Sequence, residues 1–167
     1  MRVDLTWNQV FSAAMIGVSR HIKAEQNGRK PNAGYEKKKN KDPWKIHIEG
    51  AIGEKAAAKA LGLFWDEPID TFRKFGDVYG YEIRTRSKSY YNLYVRPDEN
   101  PDSIYILVRG EMPSYQLIGW AYGYEVKANE EWIQTYANMN PAYFMPDNFL
   151  HPISTLPPTD KARAVID

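Results

Sequence analysis

Two periods run along this chain. The first is helical. Val10, Ala14, Val18 and Ile22 recur on one stripe, with Phe11 and Met15 beside it, the spacing of an amphipathic α-helix. Thr6 and Gln9 stand three residues apart just before it, as a capping box requires. Gly28 is the expected stop. A second helix is expected over EGAIGEKAAAKALG, residues 49–62, which is rich in alanine and has Gly62 just past its end.

The second period is two. Residues 78–88, 90–96, 104–109 and 115–126 read as short strands, the last as one or two. PDENPD, residues 97–102, is a loop signal. Proline becomes frequent from Pro141, and residues 151–167 read as a surface tail after one domain spanning 1–150. Helices followed by strands imply an α+β fold, with N-terminal helices packed on a mixed, largely antiparallel sheet.

Several charged residues interrupt these patterns. Glu54 lies three residues after Ala51, four before Ala58 and seven before Leu61, inside the stripe that the second helix should bury. A buried carboxylate needs a cation or a hydrogen-bond partner, although a Glu at the edge of the stripe can also reach water. Glu49 fits the first helical turn, where negative charge suits the dipole. In GDVYGYEIRTRSK, residues 76–88, Glu82, Arg84, Arg86 and Lys88 share one strand face. That pattern fits a solvated face or a site. Asp77 and Glu82 are an odd number of residues apart, so a regular strand would point them to opposite sides. A bulge or bend at Gly80 would bring them together.

Composition narrows the chemistry. The 167 residues suit one domain with a sizeable core, and 12 Tyr and 5 Trp argue against a disordered chain. There is no cysteine, which excludes disulfides, thiolate metal sites and cysteine nucleophiles and suits a cytoplasmic location. MRVDLTWNQ lacks a signal-peptide pattern, and no apolar run approaches a membrane span. His21, His47 and His151 show no zinc-binding spacing, and phosphate-binding glycine loops and GxSxG elbows are missing. The net charge of +1 conceals a basic segment. Residues 20–45 hold nine Lys and Arg against three acids, with Tyr35 and Trp44 among them. Lys37, Lys38, Lys39 and Lys41 lie there, in a loop that suits nucleic-acid contact or simple solubility.

GEKAAAKALG, GDVYG and EIRTR together offer a helix glutamate, an aspartate near a strand start and an acid-x-base pair on a strand. This order resembles the PD-(D/E)XK nuclease superfamily over residues 53–86. The resemblance implies a restriction-endonuclease-like core. It also implies a Mg²⁺-dependent DNA nuclease, with Mn²⁺ as a substitute cofactor. Asp77, Glu82 and Glu54 would be metal ligands. Arg84 stands where the family places lysine, and Gly76 where it usually places proline. Arginine stays protonated, so Arg84 is expected to clamp a phosphate rather than act as a base. Arg86, Lys88 and the basic loop would contact the DNA backbone. Two other readings fit the same residues. One is a nuclease fold without catalysis that binds nucleic acid. The other is an interaction module that sets tyrosine-rich strands, including Tyr79, Tyr81, Tyr90, Tyr91 and Tyr94, against a protein partner; a homo-oligomer also fits.

Overall fold

The computed structural model describes residues 1–28, 42–69, 76–135 and 140–160. Two helices open the chain after a short strand β1 (Arg2–Asp4). In α1 (Trp7–Gln26) the expected capping box is present: Gln9 N donates to Thr6 Oγ1 at 3.2 Å, and Thr6 N to Gln9 Oε1 at 3.0 Å. Asn27 caps its end, and Gly28 follows at φ 58°. The next helix, α2 (Pro43–Leu61), starts six residues before the expected point. Asp42 is its N-cap and Pro43 its first residue, where a missing N–H costs nothing. Glu49 therefore lies beyond the first turn and pairs with Lys45 instead. Gly62 ends α2 in the left-handed region, as expected.

The strands are β2 (Tyr81–Arg86), β3 (Leu93–Val95), β4 (Ile104–Glu111), β5 (Ser114–Tyr122), β6 (Ile133–Gln134) and β7 (Ala142–Met145). A four-stranded sheet has the order β1-β5-β4-β2. In it β2 runs parallel to β4 and the other pairs are antiparallel. A three-stranded antiparallel sheet has the order β3-β7-β6. The fold is thus α+β with a mixed main sheet.

Central strand β4 is buried on both faces. Ile104, Ile106 and Val108 face the helices and pack with Ala51, Ile52 and Ala56. Tyr105 and Leu107 face the other way, onto Leu93, Val95, Met145 and Val126. The main sheet therefore lies between the helices and the smaller sheet, with α3 (Gly123–Lys127) on the latter side. This short helix occupies part of the expected last strand, because the Glu125 carboxylate accepts the Tyr122 N–H at 2.8 Å and caps a turn. Residues 151–157 pack back on the sheets: Trp120 pairs with His151, and the Tyr81 hydroxyl donates to Pro157 O at 2.9 Å.

The helix stripe needs correction. The face of α1 that is buried is Val10, Ala13, Gly17, His21 and Ala24, while Phe11, Met15 and Ile22 are exposed. Close approach decides this. A Cβ at Gly17 would stand 2.5 Å from the Ile48 Cα, so α1 turns its small residues, not its large ones, toward α2. Similarly, a Cβ at Gly53 would meet Thr85 Oγ1 at 1.9 Å, so α2 lies directly on β2. No helix among the described residues is long and apolar enough to cross a membrane.

Candidate active site

The residue before Glu54 is the one that touches β2, which brings helix and strand chemistry together. The approach to β2 is a tight turn. Tyr79 (φ 47°) and Gly80 (φ 89°) are both left-handed, the pair of central residues that a two-residue hairpin turn demands. Tyr81 N donates to Val78 O at 2.9 Å, and Asp77 N to Tyr81 O at 2.8 Å. The chain doubles back, and Asp77 Oδ2 accepts the Ile83 N–H at 2.7 Å. Gly76 has φ 69°, and a Cβ there would lie 2.8 Å from the Gly80 Cα. Proline, fixed near φ −65°, fits neither the conformation nor the space.

On β2 the partners of Glu82 and Arg84 are Tyr105 and Leu107, so both side chains face the smaller sheet. Arg84 is buried there. Its Nη2 bonds Glu99 Oε1 at 2.9 Å and its Nε donates to Tyr94 O at 3.3 Å. The guanidinium carbon lies 5.2 Å from the Tyr94 ring centre and 4.9 Å from that of Tyr105, within cation–π range. The remaining prong is looser. Nη1 has Ile83 O at 3.4 Å, Glu82 Oε2 at 3.5 Å and Asp77 Oδ2 at 3.9 Å. These are long for hydrogen bonds. The two carboxylates of odd spacing thus meet around one nitrogen, because the turn at Tyr79 and Gly80 resets the alternation.

Glu54 is held elsewhere. Arg20 grips it with two prongs, Nη1 to Oε1 at 2.6 Å and Nη2 to Oε2 at 2.7 Å. Trp65 Nε1 donates to the same Oε2 at 3.3 Å, and Arg20 Nε is fixed on Pro68 O at 2.7 Å. Both oxygens of Glu54 are therefore committed.

The electrostatics follow from burial. Glu54 is pushed up to about 7 by burial and by nearby Asp77, against the pull of Arg20 and Trp65. Glu82 is pushed up to about 7 by burial and Asp77, against Arg84. Asp77 is raised by burial, although Arg84 and the Ile83 N–H work the other way. Burial opposes the charge on Arg84, but Tyr94, Glu99, Asp77 and Glu82 outweigh it and keep the group protonated. Four carboxylates (Glu54, Asp77, Glu82, Glu99) meet three guanidiniums, since Arg96 Nη1 lies 3.6 Å from Glu99. With every acid ionised, the cluster is short of positive charge.

The peripheral cations are dispersed. Arg86 stacks over Tyr91 at 4.4 Å and Tyr94 at 5.2 Å. Lys88 lies beyond the end of β2, 3.7 Å from Glu111. Lys37, Lys38, Lys39 and Lys41 lie outside the described residues. Three members of the cluster, Glu99, Arg96 and Arg20, were not among the expected site residues. Glu99 sits in PDENPD, where it reads as loop polarity. Arg20 had a signal: it lies three residues from Gly17 and four from Ala24, on the inward side of α1, where a charge is as anomalous as Glu54.

A divalent cation fits this site in donor type. Asp77, Glu82 and the Ile83 carbonyl offer hard oxygens around the loosely held Nη1, the ligand class that Mg²⁺ takes. Glu54 does not join them while Arg20 holds it, and among the described residues no group of three or more His, Asp or Glu is arranged to hold an ion. Compared with family models, curated proteins and solved structures, the chain matches none.

Proposed function

We propose that this protein is a metal-dependent DNA nuclease, hydrolysing phosphodiester bonds at the Asp77–Glu82–Arg84 cluster on a core of the restriction-endonuclease kind. The observation that carries the reading is the ring of three oxygens, from Asp77, Glu82 and Ile83, around a single cationic nitrogen. Asp77 and Glu82 would hold Mg²⁺, or Mn²⁺ in its place. The ion, when bound, supplies charge neutralisation for the phosphate and activation of water.

The chain's own residues do the rest. Glu99 and the Tyr94 carbonyl anchor two positions of the Arg84 guanidinium, which leaves Nη1 for the scissile phosphate. Preorganised contact of that kind lowers a barrier because no reorganisation is needed during the reaction. Arg20 keeps Glu54 in place behind Asp77. Arg86, Lys88 and the lysines at 37–41 would meet backbone phosphates, which set affinity and not sequence preference.

One observation favours a second reading. Arg84 already neutralises the acids where the ion would bind, as a nuclease fold that binds DNA without cutting it would also have. An assay on plasmid and single-stranded DNA separates the two, with and without Mg²⁺ or Mn²⁺. The control is Asp77→Asn, which keeps an oxygen for the Ile83 N–H while removing the charge. Metal-dependent cleavage lost in Asp77→Asn, with DNA affinity retained, supports the enzyme. Wild-type protein that binds but never cuts, with either metal and either strand form, leaves the binding module.

A further inference from the structure

Helix α1 has a second apolar face that nothing among the described residues covers. Trp7 is 67% exposed, Phe11 69%, Met15 48% and Ile22 45%. With half-buried Val18 they fall four, four, three and four residues apart along the helix. At 3.6 residues per turn that spacing holds one straight line over about 22 Å. The buried face, by contrast, is Val10, Ala13, Gly17, His21 and Ala24. Leaving the aromatic and Met side chains outside is the reverse of what an isolated domain needs.

We infer that this stripe is the seam of a homodimer, in which α1 pairs antiparallel with α1 of a second copy. Three observations select that occupant. The first is area. A buried aromatic side chain covers roughly 150–250 Å², so the exposed fractions amount to about 450 Å² per copy. Two copies remove about 900 Å², and the flanking Asn8, Ser12 and Ser19 carry the pair toward the ~1,200 Å² of a specific interface.

The second is register. In a two-fold antiparallel pair, Trp7 stands opposite Ile22, Phe11 opposite Val18, and Met15 beside the axis near Ala14. Every large side chain then finds an apolar partner, and the ends match without an overhang. The third is charge. No Asp, Glu, Lys or Arg lies on the line from Trp7 to Ile22. Glu25 follows on the same line and is exposed. In this register an antiparallel copy brings Glu25 beside exposed Asp4 and the N-terminal end of the other α1, where the positive end of the helix dipole faces both acids. The first turn of α1 has no acid of its own. A parallel copy would set Glu25 against Glu25.

The chain has no cysteine, so single introduced cysteines report the geometry on the full-length protein. Met15→Cys is expected to form a disulfide-linked dimer under mild oxidation. Trp7→Cys alone is not, but an equimolar mixture of Trp7→Cys and Ile22→Cys proteins is. Sedimentation equilibrium is expected to show a wild-type dimer whose dissociation constant rises at least ~100-fold in Phe11→Glu, because both copies lose a central aromatic. Phe11→Ser guards against misfolding of the charged variant, and both should keep the wild-type circular dichroism. A wild type that stays monomeric up to ~100 µM, a weak limit for a specific interface, overturns the inference. So does an unchanged dissociation constant in folded Phe11→Glu and Phe11→Ser. Self-crosslinking of Trp7→Cys on its own would also overturn it, since a parallel pair sets every position against itself whereas the antiparallel pair holds the two Trp7 positions at opposite ends.

Discussion

Glu54 makes the stability of this protein run against the usual pH trend. Its carboxyl titrates at 4.5 when exposed and at about 7 in the fold, because burial and Asp77 outweigh Arg20 and Trp65. Between those values the folded state keeps a proton that the unfolded state has released. The part of the stability that Glu54 contributes is therefore fullest below pH 4.5 and is lost as pH rises through about 7. Every tenfold difference in proton affinity between the two states is worth about 1.4 kcal/mol, so the loss from Glu54 alone is on the order of 3 kcal/mol. Glu82, also pushed up to about 7, acts in the same direction. Glu54→Gln removes the titration while keeping shape and a neutral side chain. The variant is expected to lose the Glu54 part of the slope between pH 5 and 8, at a cost in stability throughout, since its amide NH2 faces the Arg20 guanidinium where an oxygen accepted before. Urea unfolding at half-unit steps from pH 5 to 8 reads both slopes. A wild type whose stability climbs with pH, or a Glu54→Gln slope equal to wild type, would refute the reasoning.

Gly53→Ala is expected to destabilise by about 2 kcal/mol or more, since overpacking outweighs the better helix propensity; its Cβ would stand 1.9 Å from Thr85 Oγ1. Thr85→Ala should recover part of that loss in the double variant, and an additive result in urea unfolding would contradict the close approach. Arg84→Lys keeps a cation near Glu82 but loses the simultaneous grip on Glu99 and the stacking between two tyrosines. It should cost about 1–3 kcal/mol of stability while cleaving faster than Arg84→Met, and equal stability to wild type would deny the stacked geometry its importance. Replacing Lys37, Lys38 and Lys39 with Ala should weaken DNA binding and flatten its salt dependence by up to about three counterions; an unchanged salt slope would take these lysines out of the DNA contact.

Features written in neighbouring residues were legible in the sequence. The capping box at Thr6 and Gln9, the left-handed end at Gly62 and the bend at Gly80 each depend on contacts a few residues apart. So does the placement of Glu54 on a buried stripe, which needs only the helical period. What stayed hidden depends on distant surfaces. Helix α2 begins at Pro43, six residues before the alanine-rich stretch signals it, because Asp42 caps it. Tyr122–Val126 alternates like a strand, and only the reach of Glu125 to the Tyr122 N–H makes it helical. Which apolar face of α1 turns inward was set by the contact of Gly17 with Ile48, not by hydrophobicity. Arg20 meets Glu54 across 34 residues of chain, a pairing that no local pattern contains.

The arginine at position 84 is best understood together with its neighbours. A lysine ammonium is a point charge and could serve Asp77 and Glu82, but it could not reach Glu99 at the same time. A guanidinium can, because its prongs diverge. Its flat faces also let Tyr94 and Tyr105 hold it from two sides. Glu99 in turn is fixed by the Arg96 N–H, which donates to its Oε2 at 2.8 Å. Arg84 therefore comes with a carboxylate and two aromatic rings that suit arginine specifically. Under the proposed nuclease reading, such a seat would hold the cation rigid beside Asp77 and Glu82. The tight hold on Nη2 and the loose hold on Nη1 fit that proposal: the anchored prong fixes the group, and the loose one would be left for a phosphate.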